Sequence, residues 1–127
     1  MERVRGLGGV FVRSANADRL KAWYRDHLGV PLSAWGGVEF VWSSEASDGR
    51  RATTTWSVFA QESDYFGTSG QDHMLNFRVA DLDAMLSQLR ALGDDVLEQV
   101  ESSEYGRFGW VHDPDGRRIE LWEPPLA

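Results

Sequence analysis

The sequence predicts an α+β fold: two βαβββ modules forming a curved mixed sheet around a central cup, with the helices outside. Three observations predict it. Segments of strand character far outnumber the two of helical character. A short motif recurs, with Val12-Arg13-Ser14-Ala15-Asn16 matching Phe77-Arg78-Val79-Ala80-Asp81 as apolar, Arg, any, Ala, Asx. Each copy precedes a helical stretch that ends in Leu-Gly, at Leu28-Gly29 and at Leu92-Gly93. The offset changes by one residue between motif and helix end, so one residue is gained or lost between the copies. The 127 residues suit one domain of ordinary size. Module one is expected over about 1–60, a linker over about 61–72, and module two over about 73–127.

Each element has a local cause. Leu7 to Ser14 alternates as a strand, with Val10, Val12 and Ser14 on one face and Gly9, Phe11 and Arg13 on the other. Asn16 is a helix N-cap with Asp18 in the first turn. Leu20, Trp23, Tyr24, His27 and Leu28 then recur at helical spacing, and Gly29 and Pro31 stop the run. Val38 to Ser43 and the β-branched Ala52 to Ala60 read as strands around a hairpin signal at Asp48-Gly49. Gln61 to Asp72 is polar with Gly67 and Gly70, a loop joining the halves. His73 to Val79 is a strand, and Asp81 caps a helix carrying Leu82, Met85, Leu86, Leu89 and Leu92. Val96 to Glu101 is a short strand. Arg107 to His112 and Arg118 to Glu123 flank the turn Asp113-Pro114-Asp115-Gly116.

Composition excludes several classes. Twenty acidic against 13 basic side chains give a net charge of -7, which repels phosphate backbones, so no nucleic-acid partner is expected. The chain has no cysteine, which removes thiolate nucleophiles and Cys-based zinc or iron–sulfur sites. No apolar run reaches the roughly 18 residues of a membrane span, and Met1 to Gly6 has no signal-peptide pattern. A cytoplasmic protein is expected. Six tryptophans are many for this length, and Trp serves both as core filler and as pocket wall.

Three segments resemble the vicinal oxygen chelate superfamily of glyoxalases, bleomycin-resistance proteins and extradiol dioxygenases. They are Trp23-Tyr24-Arg25-Asp26-His27-Leu28-Gly29, Phe77-Arg78-Val79-Ala80-Asp81-Leu82-Asp83, and Asp113-Pro114-Asp115-Gly116-Arg117-Arg118-Ile119-Glu120-Leu121. The resemblance covers nearly the whole chain; Arg117 stands where Asn is usual. It implies paired modules forming a cup, a homodimer, and a divalent metal (Fe, Ni, Zn or Mn) held near the start of each module's first strand and by a Glu on the last strand. Aligned on the helix ends and Asx caps, those positions are Gly9, Met74 and Glu120. Glycine has no ligand, and a thioether is a soft donor poorly suited to such ions. His73 is one residue away, but a one-residue slip points it to the opposite face unless a bulge intervenes. No metal is therefore favoured; if one binds, Glu120 and His73 are its candidates. His27 suits a helix C-terminus, and His112 reads as a rim residue near Arg118.

Strand alternation also nominates the cup lining. Phe11, Arg13, Met74, Asn76, Arg78, Glu120 and Trp122 fall on the faces away from the helices. Trp110 lies opposite Glu120 if the four-residue turn closes a regular hairpin. Trp42 and Trp56 are further candidate walls. Arg13 and Arg78 can grip a carboxylate or phosphate, or can pair with Glu120 or Glu39. Without a metal, Glu120 is a candidate general base whose pKa a dry pocket would raise. Tyr65-Phe66 suits a lid or a subunit interface. Arg107-Phe108-Gly109-Trp110 supplies a pocket edge, or its Gly lets a neighbour approach closely. The favoured function is binding of a small aromatic or anionic molecule in the cup without the usual metal. The alternatives are a metal-dependent lyase, isomerase or dioxygenase, and a structural protein that uses the fold for dimerisation.

Overall fold

The computed structural model describes residues 1–42 and 52–126. The Asp48-Gly49 hairpin signal lies outside the described residues. The elements run β1 (Gly6–Ser14), α1 (Ala17–Leu28), β2 (Gly37–Val41), β3 (Thr53–Ala60), β4 (His73–Arg78), α2 (Leu82–Ala91), β5 (Asp95–Val96), β6 (Glu101–Ser103), β7 (Gly106–His112) and β8 (Arg118–Glu123). Among the described residues one mixed eight-stranded sheet forms, in the order β2-β3-β1-β4-β8-β7-β5, with β6 beside β7.

The repeat seen in the sequence becomes a near-symmetry of this order. β1 and β4 pair antiparallel at the centre, and each takes the strand that closes its own half as a parallel neighbour, β3 for β1 and β8 for β4. β2 and β7 then add antiparallel outside them. The first half contains β-α-β-β among the described residues, one strand fewer than the expected βαβββ. The single strand expected over 96–101 is divided. β5 and β6 both pair with β7, but Val96 faces Val111 while Glu101 faces Phe108. More residues lie on this edge than on its partner, so the intervening chain loops out as an extended bulge.

The two helices differ in how they are held. Asp81 caps α2 by accepting from the Ala84 amide at 3.0 Å, and Leu82, Met85 and Leu86 bury themselves with Val79, Val111 and Leu121. Gly109 admits the helix: a Cβ there would lie 3.1 Å from Leu86. Within the run Arg107-Phe108-Gly109-Trp110 the glycine thus serves close approach of a neighbour, as one of its two readings expects. Leu92, also in the expected stripe, stays exposed. Asn16 caps α1 in the same way through the Arg19 amide, 3.1 Å away, yet α1 buries none of its residues. Trp23 is 46 % and Leu28 61 % exposed. The apolar stripe of α1 is thus present in sequence but is not sealed by the described chain. Because α2 is anchored by its buried face, Asp81→Ala should cost about 1 kcal/mol, read as a lower urea midpoint with an unchanged m-value.

Candidate functional site

The concave face is divided into two compartments by Phe11, Asn76 and Glu120. The inner compartment is filled by the linker. Arg13 donates to the carbonyls of Ser63, at 3.1 Å, and of Gln71, tying both ends of the loop to β1. The Gln71 amide spans β4 and β8, donating to the carbonyls of His73 (2.8 Å) and Arg118 (2.9 Å) and accepting from the Arg118 amide. Arg118 in turn donates to the Tyr65 carbonyl at 3.2 Å. So held, the loop turns Tyr65 and Phe66 inward. Phe66 is fully buried with Phe11, Met74 and Trp110, and Phe59 packs beside them. Tyr65 stacks on Phe59 with ring centroids 5.5 Å apart.

Glu120 sits at the floor of this compartment, 1 % exposed. It faces Asn76 on β4 and Trp110 on β7 because the strand registers place all three side by side. One oxygen accepts from the Asn76 amide at 2.6 Å; the other accepts from the Trp110 indole at 3.0 Å and from the Tyr65 hydroxyl. Burial pushes the carboxyl above its ordinary range, although the three donors pull the other way. Burial and the adjacent Glu120 carboxylate push the Tyr65 phenol upward.

The outer compartment is an open cavity of about 510 Å³. Its floor is Gly8, Phe11, Asn76 and Trp122, and Thr53 and Thr55 of β3 form one wall. Trp35 and Glu39 approach from the first half, and Glu104, Tyr105 and Phe108 from the second. Trp122 is fixed by its indole bond to the Tyr105 carbonyl at 2.8 Å and by parallel packing on Phe108, 6.3 Å between centroids. An irregularity in β1 between Leu7 and Gly9 brings Gly8 onto the cavity wall. Among the described residues no Lys, Arg or His lines the cavity.

Of the residues nominated from sequence, Phe11, Asn76 and Trp122 line this cavity, as does Phe108 of the expected pocket edge. Met74, Trp110 and Glu120 also face the cup, but beneath the linker and closed off by it. The Trp110–Glu120 opposition matches the expected hairpin register. Arg13 is not a ligand grip; the linker carbonyls occupy it. Arg78 is fully buried, its guanidinium 5.9 Å from the Trp42 ring, and lies outside the cavity lining. Trp42 is no cavity wall either, since its indole donates to Thr54 at 2.9 Å. Trp56 is displaced altogether: β3 turns Thr53 and Thr55 inward, and Trp56 packs on Tyr24 of α1 at 4.5 Å. Tyr65-Phe66 turns inward and plugs the inner compartment. Glu39, Glu104, Tyr105, Trp35 and the two threonines were missed as lining. Glu104 and Tyr105 carry no signal beyond their turn, whereas Tyr65-Phe66 stood out as aromatics in a polar loop.

The metal that the resemblance implies would draw on Gly9, Met74 and Glu120. Gly9 offers no donor, Met74 is fully buried in the aromatic cluster, and both oxygens of Glu120 already accept hydrogen bonds. His73 lies on the opposite face, exposed and 2.7 Å from Asp72; the sheet irregularity falls in β1, not beside His73. These residues do not fit a hard or borderline divalent ion.

Comparison with known proteins agrees with this architecture. The methylmalonyl-CoA epimerase of Mycobacterium tuberculosis is 28% identical, with a TM-score of 0.66 over 96% of this chain and 89% of that one. A variant of the Streptomyces coelicolor methylmalonyl-CoA epimerase in complex with 2-nitronate-propionyl-CoA is 19% identical, with a TM-score of 0.64 over 94% of each chain. A methylmalonyl-CoA epimerase in complex with methylmalonyl-CoA and NH4+ is 19% identical, with a TM-score of 0.63 over 94% of each chain. At that identity the last two speak for the fold alone. No curated protein sequence matches the chain. Among the described residues no helix is long and apolar enough to cross a membrane. Residues 9–122 match the glyoxalase-like domain, and the chain belongs to that family, within the vicinal oxygen chelate superfamily.

Proposed function

We propose that the protein binds a small, largely aromatic molecule in the outer cavity and does so without a metal. One observation carries the reading. An open cavity of about 510 Å³ is walled by rings from both halves, with a few polar groups between them, the composition of small-molecule sites. The metal-independent part rests on the donor set, in which glycine, a buried thioether and a saturated carboxylate stand at the positions a metal would need. Glu120 then serves as the acceptor that closes the linker onto the cup, rather than as a base. Two of the solved relatives named above are complexes with CoA derivatives. Those ligands bear several phosphate charges, which a lining with two carboxylates and, among the described residues, no cation does not suit. An anionic ligand was motivated by Arg13 and Arg78, and neither reaches the cavity. The exposed Trp23 and Leu28 of α1 and Phe40 and Val41 of β2 support a homodimer as the assembly, which sedimentation velocity tests.

The experiment is elemental analysis of purified, untagged protein before and after dialysis against Ni²⁺, Zn²⁺, Fe²⁺ and Mn²⁺, together with tryptophan-fluorescence titration by flat aromatic probes. The expected result is no stoichiometric metal and saturable binding that EDTA leaves unchanged. Trp122→Ala should weaken that binding by roughly tenfold or more, as loss of a central aromatic anchor does. About one tightly held ion per chain, lost in Glu120→Ala, would overturn the reading in favour of a metal-dependent lyase, isomerase or dioxygenase.

A further inference from the structure

We infer that the ligand of the outer cavity is a flat aromatic cation bearing an N–H donor, selected by Glu39, Glu104 and the side-chain carbonyl of Asn76. The inference rests on the proposed binding reading and adds the sign of the charge and the polarity of the hydrogen bond.

The polar groups of the cavity are unbalanced. Glu39 and Glu104 approach from the two halves of the chain, both are exposed at its rim, and neither has an ion-pair partner among the described residues. Among the described residues no basic side chain contributes to the lining. Asn76 is 2 % exposed, and its amide nitrogen is committed to Glu120. Its carbonyl oxygen is buried without a donor. That oxygen faces Gly8, where a Cβ would lie only 2.1 Å from it. Gly8, Asn76 and Trp122 all line the cavity, so the acceptor lies just behind its floor, closed to solvent between Gly8 and Trp122, and a small shift of the Trp122 ring brings it within reach of a ligand. A buried carbonyl left without a donor is unfavourable, and a ligand N–H supplies one. The rings of Trp35, Tyr105, Phe108 and Trp122 line the cavity, and aromatic π systems attract cations. The net charge of -7 adds long-range attraction for a cation and repulsion for an anion.

Four acridines of nearly equal shape separate these contributions: 9-aminoacridine (cation with N–H), 10-methylacridinium (cation without N–H), 9-methylacridine (neutral) and acridine-9-carboxylate (anion). Each is titrated by fluorescence at pH 7 into wild type and into the double variant Glu39→Gln/Glu104→Gln. Both substituted residues are exposed, and thermal melts confirm that the variant folds. In wild type, 9-aminoacridine should bind roughly tenfold tighter than 9-methylacridine, with the carboxylate weakest; added salt should weaken the cations most. The double variant should bring 9-aminoacridine to within about threefold of the neutral probe measured in the same variant. The N–H donor should make 9-aminoacridine tighter than 10-methylacridinium by about threefold or more. Equal or better binding of the neutral or anionic probe in wild type overturns the cation assignment and leaves the binding reading standing. Equal affinity of the two cations overturns the role of Asn76. Failure of all four probes to saturate the protein removes the binding reading itself, and the inference with it.

Discussion

Glu120→Ala is expected to lower stability by about 3–5 kcal/mol, because it strands three buried donors at once. The Asn76 amide, the Trp110 indole and the Tyr65 hydroxyl all converge on this carboxyl, and the linker that carries Tyr65 closes over them. Glu120→Gln should behave differently. Its amide oxygen can keep the Trp110 and Tyr65 bonds, and its amide nitrogen can donate to Asn76 once that side chain flips, so most of the network survives. The two variants also separate by pH. Burial holds the Glu120 proton to a higher pH than in the unfolded chain, where the ordinary value is 4.5. Between the two values the folded state binds more protons than the unfolded state, so stability falls as pH rises through that window. The contribution is fully present below 4.5 and is lost above the raised folded value. Urea unfolding from pH 4 to pH 9 should show this decline in wild type and a flatter profile in Glu120→Gln. The carboxyls held below their ordinary range, exposed Asp72 and Asp83 by hydrogen bonds from His73 and Arg107 and half-buried Asp113 by the Arg117 backbone amide, act in the opposite sense and at lower pH. A wild-type profile that rises between pH 5 and pH 8, parallel to that of Glu120→Gln, would sink the assignment of Glu120 as a buried acid.

The fold was legible because its signals are local and repeated. The two Asx caps, the two Leu-Gly helix ends and the Asp113–Gly116 turn each depend on backbone chemistry within a few residues. Asp113 accepts from the amides of Asp115 and Arg117 at 2.9 Å, as such turns require. Register followed from the last turn, so Trp110 could be set against Glu120 before any coordinates. The site was only partly legible, since its residues meet through contacts of long sequence separation. Nothing near Arg13 tells that its guanidinium will hold Ser63 and Gln71, some 50 residues away. The same motif position in the second half, Arg78, has a different environment entirely, so the repeat predicts backbone but not partner. Trp56 shows a second limit. In the β-branched run Thr53-Thr54-Thr55 either face can point inward, and the alternation becomes decisive only when Tyr24 of α1 is known to cover Trp56. The unburied stripe of α1 shows a third: amphipathic spacing establishes that a helix has an apolar face, not that its own chain covers it.

Phe66→Ala should cost about 3–5 kcal/mol, the range for truncating a buried Phe. The side chain is fully buried among Phe11, Met74 and Trp110, and it also stands under the Arg13 guanidinium, 5.1 Å from ring centroid to carbon. Removing the ring leaves a cavity lined by rigid aromatics that have little freedom to collapse into it. The linker then loses its deepest anchor, so amides of residues 61–72 should exchange faster with deuterium than those of β1 or β4. The location of the damage separates plug from site. Phe66 does not line the outer cavity, whereas Trp122 does. Phe66→Ala should therefore lose much stability and little probe affinity at temperatures where it stays folded, and Trp122→Ala should lose affinity out of proportion to stability. Phe11 touches both compartments, so Phe11→Ala should lose both. If Phe66→Ala instead binds a flat aromatic probe at an additional site, the inner compartment is itself a ligand cavity that the linker occupies in the resting chain. An unchanged melting temperature in Phe66→Ala would contradict the plug altogether, because a fully buried phenyl ring in a packed cluster cannot be removed without cost.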